Sequence, residues 1–150
     1  MITIFIMINK IEEKLILLRA KKFTDNLEGL ESFSISLLGN DIFLWHRDEL
    51  KMANAIDNKN ERVLFKQPVA EDKLINAVIS LLNIDKIFLC WLVYEDRCGI
   101  FIRGNDFKLF LASVFRLNNS YDASLIFESP DRVISISDNE YDVDIFYKLK

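Results

Sequence analysis

The chain has a single histidine, His46, in the run Trp45-His46-Arg47-Asp48. An imidazole can serve as a general base when a nucleophile and an orienting group stand beside it. The sequence spells out no such partners. It has no Gly-x-Ser-x-Gly elbow and no Cys–His signature of a thiol enzyme. Glycine motifs that cradle phosphate are also missing, and Gly104-Asn105-Asp106 reads as a tight turn with a helix cap in preference to an anion site. Glu95 and Asp96 are adjacent, and two carboxylates are the least that acid–base chemistry needs. Lying between two apolar runs, they read first as a solvated turn. Cys90 and Cys98 are eight apart with no second cysteine pair, which fits no zinc template and suggests two reduced, buried thiols. The expectation is a non-enzyme with no cofactor and no metal. An enzyme of unfamiliar type using carboxylates or His46 is the alternative.

The strongest compositional skew lies toward the C-terminal end. Asp122, Glu128, Asp131, Asp138, Glu140, Asp142 and Asp144 meet only Arg132 before Lys148. On an extended chain Glu140, Asp142 and Asp144 share one parity, while Tyr141, Val143, Ile145 and Tyr147 take the other. Three like charges on one strand face repel unless they are solvated or met by cations. One reading is a final edge strand kept from aggregating by its charge. The other is an acidic docking strip for a basic partner, formed by Glu128, Asp138, Glu140, Asp142 and Asp144 with Tyr141 as an aromatic anchor. The 138, 140, 142, 144 spacing lacks the turn glycine and the distal glutamate of a calcium loop. With 23 acidic against 19 basic residues, net charge is −4, the reverse of what phosphate contacts require, so no nucleic-acid partner is expected.

These residues need a scaffold, and 150 residues at 51% hydrophobic suit one domain spanning 1–150 with a full core. The opening Met-Ile-Thr-Ile-Phe-Ile-Met-Ile has no basic leader and is too short for a bilayer span. Met7 is an alternative start, which would make residues 1–6 an extension. No membrane partner is expected, and the cytoplasm is the expected location. Residues 9–22 predict a helix with an Asn9/Glu12 capping box and a core stripe of Ile8, Ile11, Leu15 and Leu18. Phe33, Ile35 and Leu37 alternate with serines, which suggests a half-buried strand. Asp48 suggests a short helix to Ile56, and 57–61 an exposed loop. Val63–Phe65 is a brief strand, and Pro68 opens a helix to 82 buried along Leu74, Val78, Leu81 and Leu82. Residues 86–94 and 98–103 read as a hairpin. Asn105 or Asp106 caps a helix to 117 with Phe107, Phe110, Leu111, Val114 and Phe115 inward. Strands at 123–127, 132–137 and 141–147 complete a meander. The fold class is α+β, a mostly antiparallel sheet with about three helices packed on it.

The hairpin Ile87–Ile102, the capped helix Gly104-Asn105-Asp106-Phe107-Lys108-Leu109-Phe110 and the strand pair Leu125-Ile126-Phe127 and Val133-Ile134-Ser135-Ile136 resemble small bacterial immunity proteins of contact-dependent, or polymorphic, toxin systems. The resemblance covers about Lys86 to Tyr147 and is architectural. It implies a cytosolic protein that binds one cognate toxin domain, often a basic nuclease, and blocks it without turnover. It carries over no functional residue. A regulatory or homo-oligomeric module pairing through its last strand is a further alternative, and monomer or homodimer is left open.

Overall fold

A computed structural model describes residues 2–37, 62–128 and 131–149. In chain order the elements are α1 (Ile2–Asp25), β1 (Leu30–Leu37), β2 (Arg62–Lys66), α2 (Glu71–Leu82), β3 (Phe88–Tyr94), β4 (Cys98–Gly104), α3 (Phe107–Asn118), β5 (Ala123–Glu128), β6 (Asp131–Asp138) and β7 (Asp142–Leu149). The strands form one seven-stranded sheet in the order β1-β4-β3-β5-β6-β7-β2, with every pairing antiparallel. The chain is an α+β single-domain fold, as its patterning predicts. The expected helix over 48–56, the loop 57–61 and His46 lie outside the described residues.

Strand registers follow side-chain parity. Ile35 pairs with Ile100, Leu92 with Ile100, Leu125 with Ile134, and Ile136 with Ile145. These side chains share the face on which the helices pack. α3 covers the centre. Its stripe of Phe107, Phe110, Leu111, Val114 and Phe115 is buried as expected, and the Phe107 ring stands edge-on to Phe88 at 5.1 Å. Gly104 pairs with Phe88 on the neighbouring strand, and a Cβ there would run into that ring. The Asp106 carboxylate accepts from the Leu109 backbone N–H at 3.1 Å, so of the two candidate caps it is Asp106 that starts the helix. Asn119, in left-handed backbone conformation, ends it.

α2 starts at Glu71, not at Pro68, which instead follows a cis peptide bond ahead of the helix. Ile75 joins Leu74, Val78 and Leu82 in its buried face. Arg132 on β6 donates to the Leu82 carbonyl and lies over the Phe127 ring at 4.9 Å. A cation thereby closes the negative end of α2. Burial lowers the Arg132 pKa.

α1 departs most from expectation. It begins at Ile2, so Asn9 and Glu12 stand inside the helix, and the uncharged run before them contains no residue that stops it. The face on the sheet is Ile16, Ala20 and Thr24. Three residues of the expected core stripe point out instead, with Ile11 54%, Leu15 50% and Leu18 63% exposed. The exit from α1 explains the roll. The Glu28 backbone N–H donates to Ser113 Oγ at 3.0 Å, and the Gly29 carbonyl accepts from the Asn105 N–H at 2.8 Å, which pins the turn into β1 against α3. Gly29, at φ 75°, makes that turn possible, because a side chain there would be strained and would meet the Asp106 carbonyl.

Candidate functional site

Antiparallel strands bring alternate turns to one end of a sheet. Here that end collects the β3–β4 turn (95–97), the lead into β5 (119–122) and the β6–β7 turn (139–141). Glu95, Asp96, Asp122, Asp138, Glu140 and Asp142 gather there. Tyr141, at the tip, is 76% exposed. Of the expected docking residues, Asp138, Glu140, Tyr141 and Asp142 are therefore brought together. Glu128 is not. It ends β5 opposite Asp131, at the other end of β6 from Asp138. Seven residues of strand separate the two, about 23 Å at the usual rise.

The acidic residues differ in how far the fold already uses them. Asp138 Oδ1 accepts from Gln67 Nε2 at 2.7 Å, and its Oδ2 accepts from the Tyr121 N–H at 2.9 Å, so this carboxylate ties together the segments before α2 and β5. Asp122 accepts from the Asp138 N–H at 2.9 Å and from Ser120 Oγ at 2.6 Å. Asp142 accepts from Asn139 Nδ2 at 3.1 Å and steadies its own turn. Asp144 faces Arg62 across the strand pair at 3.5 Å. Burial holds the Asp144 pKa above the usual carboxylate value, with Asp142 adding to the effect and Arg62 working against it. Glu140 and Asp96 are exposed, as is Glu95, whose carboxylate accepts from Arg19 at 2.9 Å. That bond and the charge of Glu95 raise the Arg19 pKa.

The parity expected for the last strand is correct. Val143, Ile145 and Tyr147 face the helices, while Asp142 and Asp144 lie on the opposite face of the sheet. The expectation of an edge strand is overturned. β7 lies between β6 and β2, and Arg62 of β2 supplies the cation that its acidic face needs. β6 and β2 flank β7 over Val143–Phe146, so that stretch offers no free edge for a homodimer built through the last strand.

A polar cleft of about 590 Å³ opens beside the acidic turns. Its cause lies in the sheet: β3 and β5 pair only at Trp91–Ile126 and Leu92–Leu125, then diverge. Tyr94, Glu95, Asp96, Asp122, Ser124 and Ser137 are among its walls. Burial foremost, then Glu95, raises the Tyr94 pKa. Such a cleft offers carboxylates and hydroxyls to a cationic or hydrogen-bond-donating side chain. The sequence showed Glu95 and Asp96 as a pair and Asp122 within the C-terminal acidic group, with nothing to join the two sets. The signal that joins Glu95 and Asp96 to Glu140 is strand order, since α3 returns the chain from the far end of β4 to the start of β5 and the β3–β4 and β6–β7 turns then share an end.

Cys90 and Cys98 are both buried free thiols, and burial raises the pKa of each. Cys90 pairs with Ile102, and Cys98 with Tyr94, so the two lie apart along the hairpin. Among the described residues no group of three or more His, Cys, Asp or Glu side chains is placed to hold a metal ion. Among them, too, no helix is long and apolar enough to cross a membrane. No protein-family model, curated protein or solved structure matches the chain.

Proposed function

We propose that the chain is an immunity-type protein that binds a cognate, basic toxin domain through the acidic end of its sheet and occludes the toxin without turnover. The observation that supports this reading is the meeting of two carboxylate-bearing turns and Asp122 at one end, with the exposed Tyr141 ring at their tip. Opposed charge speeds docking of such partners, and an exposed aromatic supplies an anchor. The contact centres on Glu140, Tyr141, Asp142, Glu95 and Asp96. Asp138 serves it indirectly, by holding the turns, and Asp144 lies outside the contact, beside Arg62 of β2.

The test uses the full chain and the protein encoded by the adjacent gene. Glu140→Lys with Asp96→Lys should slow association at least tenfold at low salt and flatten its salt dependence, while leaving the unfolding midpoint unchanged. Association as fast as that of the unaltered chain would remove the acidic end from the interface.

A further inference from the structure

β1 is one edge of the sheet, and among the described residues no strand pairs with its outer side. Edge strands are normally guarded by lysine, proline, short length or bulges. β1 runs for eight residues, Leu-Glu-Ser-Phe-Ser-Ile-Ser-Leu, with one charge and no proline. Its only irregularity is a register shift at its start, between Leu30 and Ser32. The opposite edge, β2, is shorter and has a basic residue at each end, Arg62 and Lys66.

A groove of about 440 Å³ runs beside the β1 edge. It is lined by Leu17, Leu18 and Ile35, with Lys14 and Lys21 of α1 among its walls. α1 packs on β1 and β4, and its Arg19 side reaches inboard to Glu95, so the Lys14–Lys21 side faces outboard, over the β1 edge. A strand added to β1 would place every second side chain in that groove.

We propose that the β1 edge and the α1 groove form a binding site for an extended segment of another polypeptide, with the pattern acidic–x–apolar–x–acidic. Main-chain hydrogen bonds to β1 would give affinity, and the groove would select side chains. The apolar residue sits between Leu17, Leu18 and Ile35. The two carboxylates meet Lys14 and Lys21. Seven helical residues separate these lysines by about 10 Å. Strand residues four apart span about 13 Å, a difference that lysine side chains readily reach across. Opposite charge at both ends favours this occupant over a second copy of the chain, whose own β1 carries only Glu31 to offer two lysines. The site lies away from the Glu140 turn and does not rest on the toxin-binding reading.

The test is selection of random octapeptides on a display library against the full chain, followed by affinity measurement with the enriched peptide. The expected result is an acidic–x–apolar–x–acidic consensus. Lys14→Glu with Lys21→Glu should weaken that peptide by about tenfold, consistent with modest exposed ion pairs, and should turn the selected consensus basic. Methylating alternate backbone nitrogens of the peptide should abolish binding, and β1 amide exchange should slow only with the unmethylated form. A consensus unchanged by charge reversal, or binding indifferent to methylation, would overturn the proposal. So would a chain that sediments as a dimer and is split by Leu18→Glu, because a second copy would then fill the groove. Because α1 and β1 keep their inward residues in these variants, an unchanged unfolding midpoint separates loss of binding from loss of fold. Failure here would leave association through Glu140 untouched, and the reverse also holds.

Discussion

α3 and α1 carry apolar stripes of similar helical spacing and put them to opposite ends. In α3, Phe107, Phe110, Leu111, Val114 and Phe115 all lie in the core. In α1, Ile11, Leu15 and Leu18 face outward, and the sheet is met by Ile16, Ala20 and Thr24. Spacing therefore establishes that a segment is helical and amphipathic, while neighbouring turns decide which side is buried. α3 lies centrally, and its outward side mixes Leu109 with Lys108 and Arg116. α1 crosses one edge of the sheet with apolar residues on more than one side, and its roll is set by the Glu28–Gly29 turn.

The sharpest test of the buried side is Phe110→Ala. Phe110 is fully buried and stacks at 5.1 Å from Phe88. Its truncation should cost about 3–5 kcal/mol in urea unfolding. A loss under about 1 kcal/mol would mean the α3 face is not close-packed.

The roll of α1 can be tested within one turn. Ile16→Ala should cost about 2–4 kcal/mol, because Ile16 is only 1% exposed. Leu15→Ala, one residue away, should stay within about 0.5 kcal/mol. Equal losses would show that the helix buries both sides.

Caps sharpen the same contrast at smaller size. Asp106→Ala removes the acceptor for the Leu109 N–H and should cost about 1 kcal/mol. Asn9→Ala, which the Asn9/Glu12 spacing alone would rank equal, should cost nothing measurable or stabilise slightly, because Asn9 sits inside α1. A clear loss at Asn9 would place the start of α1 where sequence spacing puts it.

Much of this fold was legible because its elements are locally signalled. The Glu95-Asp96-Arg97 turn separates two apolar runs, Asp106 precedes a five-residue apolar stripe, and serines alternate through β1. Two features were not. The place of β2 beside β7 joins segments about 80 residues apart, and nothing local in Arg62-Val63-Leu64-Phe65-Lys66 names its neighbour. That pairing turned an expected edge strand into an interior one. The division of the acidic residues was hidden for the same reason. Gln67, Tyr121 and Arg62 engage Asp138 and Asp144 only through tertiary contacts, and Glu128 is removed to the far end by the direction of β5.

Asp144 gives the finest comparison, between an acid held in the sheet and Glu140, an acid left in water. The fold favours its neutral form, because burial and Asp142 outweigh the pull of Arg62 at 3.5 Å. A group whose pKa is raised on folding contributes its stabilisation below its unfolded value and loses it as pH rises through the folded one. Asp144 should therefore weaken the fold as pH climbs out of the acid range. Asp144→Asn keeps the shape and removes the ionisation, and Arg62 keeps further interactions beyond this pair. The variant should match the unaltered chain near pH 3 and exceed it at pH 7 by less than about 1 kcal/mol, the scale expected when desolvation opposes a partly exposed ion pair. If Asp144→Asn is the less stable protein at pH 7 and not at pH 3, the Arg62 pair is net stabilising, and β7 is held to β2 by charge as well as by its backbone.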